Sequence, residues 1–149
     1  MKNMNFHRRS LVRALAVAGA IGIVAACTSM GGDPNMQKID LLPGNEVPAV
    51  SSSASGTASV TINPDRSVSA SVSVSGMTPT ASHIHDGAVG TNGPVIVPFT
   101  KTGDNTFAAP AGAKLTEAQY ADYKAGKLYV NVHSAAHPGG EIRGQLKAN

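Results

Sequence analysis

Apolar and polar residues alternate with a period of two through "GTASVTIN" and "SVSASVSVSG", both rich in β-branched side chains. This alternation marks half-buried strands, and the "PDR" between them marks a hairpin turning near Asn63–Arg66. "SHIHD", "PVIVPF", "TFAAP", "KLYVNVHS" and "EIRGQL" are further short strand candidates, set apart by turn-forming residues. One segment breaks the pattern. Thr116 is a good N-cap and Gln119 follows three residues later, which is the arrangement of a capping box. "EAQYADYKA" is rich in helix formers, and Gly126 suits a left-handed terminus. The pattern predicts a helix over about Glu117–Ala125. The expected fold is all-β: a Greek-key antiparallel β-sandwich or barrel with one short connecting helix.

The N-terminus follows a different rule. "MKNMNFHRRSLVR" is basic, and "ALAVAGAIGIVAA" is apolar but too short for a stable membrane span. Val24-Ala25-Ala26 then precedes Cys27, the sole cysteine of the 149 residues. The spacing resembles a bacterial lipobox. It predicts a signal peptide over 1–26, a lipidated Cys27 with a flexible tether over 27–37, and one domain over 38–149. "RRSLVR" also resembles a loose twin-arginine signal, so both the Sec and the twin-arginine export routes stay open. Thr28 after the cysteine, in place of Asp, points away from inner-membrane retention. The expected location is therefore the bacterial cell envelope: lipid-anchored at the outer membrane, facing the periplasm or the cell surface.

Charge changes meaning once the leader is set aside. The formal net charge is +3, but four of the 12 basic residues lie in the leader, leaving 8 against 9 acidic ones. No basic face remains for nucleic acid. A lone cysteine cannot close an internal disulfide. No phosphate loop, dinucleotide fingerprint or internal repeat is present.

The candidate chemistry lies in the histidines. Apart from His7 in the leader, all of them fall in "ASHIHDG" and "VNVHSAAHPGG". Residues two apart on a strand share a face, with roughly 7 Å between them. If Ile84 faces the core, His83 and His85 face outward together. By the same alternation Leu128, Val130 and Val132 point inward, and Tyr129, Asn131 and His133 outward. Ile142 and Leu146 take the core side, leaving Glu141, Arg143 and Gln145 outward. His137 precedes the tight turn Pro138-Gly139-Gly140 and could fold back over this face. The expected metal ligands are His83, His85, His133 and His137, with Tyr129, Arg143 and Asp86 around them. Imidazole donors without thiolates, in an exported and partly open site, favour copper, with zinc second. Binding is expected to weaken as pH falls through about 6.5, where free imidazole protonates.

Taken together, "GNEVPAV", "GTASVTIN", "ASHIHDGAVGTNGPVIVPF" and "LTEAQYADYKAGKLYVNVHSAAHPGGEIRGQL" resemble the CHRD domain, named after chordin. The likeness covers about Ile39 to Leu146 and implies an extracytoplasmic β-sandwich. The histidine arrangement also resembles the copper site of Cu,Zn superoxide dismutase, itself a Greek-key sandwich. That likeness implies copper ligands at His83, His85 and His133 and an anion guide at Arg143. This chain lacks that enzyme's cysteine pair and its histidine-rich zinc loop. Three functions follow, in descending order. The first is a lipoprotein binding copper for copper handling or redox chemistry. The second is a metal-free interaction or adhesion module. The third is a dismutase-like enzyme.

Overall fold

The computed structural model describes residues 33–147. The leader and Cys27 lie outside the described residues. Among the described residues, nine strands form two sheets and one α-helix links them. The strands are β1 (Met36–Leu41), β2 (Ser55–Ile62), β3 (Val68–Ser75), β4 (Pro79–Asp86), β5 (Val95–Pro98), β6 (Thr100–Gly103), β7 (Thr106–Ala108), β8 (Leu128–Ser134) and β9 (Ile142–Gln145), and the helix is α1 (Glu117–Lys124). One sheet runs β1-β2-β3-β7-β6, the other β5-β4-β8-β9, and every paired strand is antiparallel. The fold is an all-β sandwich.

Alternation explains the core. Val60, Ile62, Val72 and Val74 from the first sheet meet Ile84, Val130, Val132 and Ile142 from the second, all buried. The hairpin between β2 and β3 turns where Asn63 accepts from the Arg66 backbone, with Arg66 at φ 73°. The sequence pattern does not predict β1 or β6. β1 carries only two buried side chains, Ile39 and Leu41, and all four residues of β6 are exposed, so neither has a strong period.

Two crossovers position the candidate site. β3 and β7 are neighbours in the first sheet, and the strands that follow each, β4 and β8, are neighbours in the second. This brings "SHIHD" beside "LYVNVHS" although they are about 50 residues apart. The link into β8 is α1. Its cap is as expected: Thr116 Oγ1 accepts from the Gln119 N–H, and Gln119 Oε1 accepts from the Thr116 N–H.

Thr116→Ala should lower stability by about 0.5–2 kcal/mol, measured by urea denaturation. Ile84→Ala should cost about 2–5 kcal/mol by leaving a core cavity. A loss below 1 kcal/mol for Ile84→Ala would mean that this side chain is not packed between the sheets.

Candidate metal centre

The register of β4 against β8 builds the site. His83 stands opposite Asn131, His85 opposite Tyr129 and Ala81 opposite His133. His133 is thus the diagonal neighbour of His83 on one face, within reach of long side chains. His83 Nδ1 lies 3.0 Å from His133 Nε2. One nitrogen from each of His83, His85 and His133 lies within 4.8 Å of the others. Two donors on a tetrahedral ion, each about 2.0–2.1 Å from it, sit roughly 3.3 Å apart. The three histidines can hold a metal ion.

Backbone carbonyls orient two of the rings. His133 Nδ1 donates to the Pro138 carbonyl at 2.9 Å, and His85 Nδ1 donates to the Gly93 carbonyl at 2.9 Å. A carbonyl oxygen only accepts, so in each neutral ring the proton resides on Nδ1 and the lone pair on Nε2. The other ring nitrogen of a metal-bound histidine ordinarily makes this kind of hydrogen bond. His85 Nε2 is buried without a partner. The Gly93 carbonyl reaches His85 because residue 93 has no side chain: a Cβ there would overlap the Asp86 carbonyl oxygen.

Two of the rings are held neutral. Burial, with His133 and His85 adding to it, pushes His83 down to about 4. Burial also lowers His85. Neutral imidazole is the form that binds a metal, so proton competition at these two rings moves below the 6.5 expected of free histidine.

Part of the outward face is closed to water, while His83 and His133 stay half-buried. Tyr129, Asn131 and Arg143 are each only 2% exposed. Two loops cover them. Leu42 bridges to Arg143 through a backbone hydrogen-bond pair, and Asn45 Nδ2 donates to the Arg143 carbonyl. From the other side, the Arg143 guanidinium donates to Asn92 Oδ1 and the Ala88 carbonyl, and Asn92 Nδ2 donates to the Val47 carbonyl. Alternation places these side chains on the outer face, but it cannot reveal that loops fold back over them.

This cover corrects several expected roles. Arg143 is enclosed, its guanidinium carbon 3.3 Å from the centre of the Tyr129 ring, so it braces the loops and is not presented to an incoming anion. Tyr129 does lie beside the cluster. It stacks on His85 with ring centres 4.8 Å apart, and its hydroxyl accepts from the Gly93 N–H. Asp86 shares the alternation of Ile84, and its carboxyl feels Asp122 and Lys127 near the helix end. His137 is not in the group of three. Its carbonyl accepts from the Ser134 and Gly140 N–H groups, so its backbone closes the turn, and the residue lines a separate pocket that Glu46 and Asn92 also line.

Glu46 and Asn131 have no role in the sequence reading. Glu46 sits in "EVP" and is 6% exposed. Burial pushes its carboxyl up to about 7, opposed by Arg143 and the Asn131 amide. Its only sequence signal is its place in a quoted motif.

The two kinds of shift act on stability with opposite signs. His83 binds fewer protons folded than unfolded, so its contribution is complete above 6.5 and is lost as pH falls toward about 4. Glu46 binds more protons folded, so its contribution is present below 4.5 and is lost as pH rises through about 7. The two oppose each other between pH 6.5 and 4.5, so the difference between proteins is the test: as pH falls from 6.5 to 4 in urea titrations of metal-free protein, His83→Gln should lose less stability, or gain more, than wild type. An unaltered slope in the variant would show that the cluster is not kept neutral by the fold.

A family model described as CHRD domain matches residues 38–146. No curated protein and no solved structure gives a significant match.

Proposed function

We propose that this chain, which belongs to the CHRD domain family over residues 38–146, is an exported lipoprotein that binds copper through His83, His85 and His133. Its role is copper handling, or redox chemistry at a coordination position left for a small ligand. One observation carries the reading. Two backbone carbonyls hold the Nδ1 protons of His85 and His133, so both Nε2 lone pairs are fixed, and His83 joins them. The donors are neutral nitrogens with no thiolate among them. Imidazole sets suit both copper and zinc, and divalent copper binds the more tightly in the usual affinity order. When bound, the ion would supply Lewis acidity or electron transfer. The chain's own part is to keep His83 and His85 unprotonated and to hold three imidazoles oriented and half-shielded by the loops.

The second reading is a metal-free interaction module, and the outer face of the first sheet favours it. Ser55, Thr57, Ser59 and Thr61 of β2 stand opposite Ser75, Ser73, Ser71 and Ser69 of β3, forming a ladder of hydroxyls. The dismutase-like reading is the weakest of the three, because Arg143 is committed to the loops.

Isothermal titration with Cu(II) and Zn(II), under a competing chelator, tests the first reading. His83→Ala, His85→Ala and His133→Ala should each weaken binding by an order of magnitude or more, with copper bound more tightly than zinc. Equal affinities in all four proteins would leave the histidines as loop braces.

The anchor is tested separately. Cys27→Ala should move the protein from the membrane fraction to the soluble envelope fraction while the sandwich still folds. Persistent membrane association would rule out lipidation at Cys27.

A further inference from the structure

Among the described residues, three buried side-chain atoms have no hydrogen-bond partner: Glu46 Oε1, His85 Nε2 and Asn131 Oδ1. They belong to one neighbourhood. Asn131 pairs with His83 across β4 and β8 and with Arg143 across β8 and β9, and it shares the face of His133 two residues on. It is also the diagonal neighbour of His85, which stands opposite Tyr129 on the same face. Its amide nitrogen faces Glu46: the point where a Cβ on Gly140 would stand is 2.8 Å from Asn131 Nδ2 and 2.5 Å from Glu46 Oε1. Gly140, at φ 130°, leaves room for that approach.

A neutral imidazole has one proton, and the Gly93 carbonyl takes it from His85 at 2.9 Å. The other nitrogen and the Asn131 oxygen are thus two buried acceptors on one face of the sheet, neither of them with a donor. Buried acceptors are rarely left this way in proteins. A cation between them satisfies both. The amide nitrogen, turned toward a carboxyl, keeps the oxygen on the histidine side.

We infer that Asn131 Oδ1 is the fourth donor to a cation held by His83, His85 and His133, and that Glu46 is the positioning residue that turns the amide oxygen inward. The inference rests on the metal-binding reading above. Three imidazoles and an amide oxygen make a harder donor set than imidazoles alone, suited to divalent ions in preference to Cu(I).

The test is Zn(II) titration and Co(II) visible absorption on the purified chain, with thermal unfolding to confirm the fold. Asn131→Leu should weaken binding roughly 10–100-fold and change the Co(II) band positions and intensity. Asn131→Asp keeps an oxygen at that position and adds charge, so it should bind more tightly than wild type, with its own Co(II) band shift. It decides the question if the leucine variant does not fold. Glu46→Gln should move the Co(II) spectrum toward that of Asn131→Leu, and a wild-type spectrum would remove its positioning role. His133→Ala separates the two levels of the argument. If it abolishes binding while Asn131→Asp matches wild type in affinity and spectrum, the amide serves only the internal hydrogen-bond network and the histidine reading stands. If wild type binds neither Zn(II) nor Co(II), and no Cu(II) in the isothermal titration above, both readings fall.

Discussion

The antiparallel pairing of β4 with β8 sets Ile84 opposite Val130 on the core side and His83 opposite Asn131 on the other. A strand has a side-chain period of two, so a slip of one residue would exchange the two faces completely. Ile84, Val130 and Val132 would then leave the core, and the imidazoles would enter it. Each buried aliphatic side chain is worth about 1.5–3 kcal/mol, so the register is held by apolar packing. The histidines inherit their positions from that packing. The site therefore needs no stabilisation of its own, which lets its donors remain under-satisfied.

The second sheet bears polar groups on its outer face, and the fold encloses them. Arg143 stacks on Tyr129, Tyr129 stacks on His85, and the Arg143 guanidinium holds the 87–94 loop through Asn92 and Ala88. The loop returns a carbonyl to His85 through Gly93. Arginine, ring, imidazole and loop thus close a circuit. A buried guanidinium is tolerable here because it donates to several oxygens and lies near the Glu46 carboxyl. The same enclosure lowers the dielectric around the histidines and holds His83 and His85 neutral.

Local pattern made much of this legible. The alternation in β2, β3, β4 and β8 predicts the strands, the inward set and the shared face of His83, His85 and His133. The Thr116–Gln119 box predicts the helix start. What local pattern does not encode is contact across long separations. Nothing near Arg143 in sequence signals that it will anchor residues 88 and 92. Nothing near Glu46 signals that it will lie against Asn131. Proximity in the chain points His137 toward the cluster, but its carbonyl closes the turn. Asp86 could have been excluded from the site by the very alternation that places Ile84 in the core.

The paired crossovers have a consequence for when the chain acquires its chemistry. "SHIHD" offers two imidazoles as soon as β4 is extended, but His133 arrives only after β5, β6, β7 and α1 have been laid down and β8 has docked. Closing so long a loop costs entropy that only the completed sandwich recovers. Before closure the chain is at best a two-toothed chelator. Afterwards the third ring is present at the high effective concentration of an intramolecular partner. Any capture of a cation by the three histidines would thereby be tied to completed topology. A misfolded or truncated copy would lack the third ring in place, and full ligation would be a signature of the finished domain.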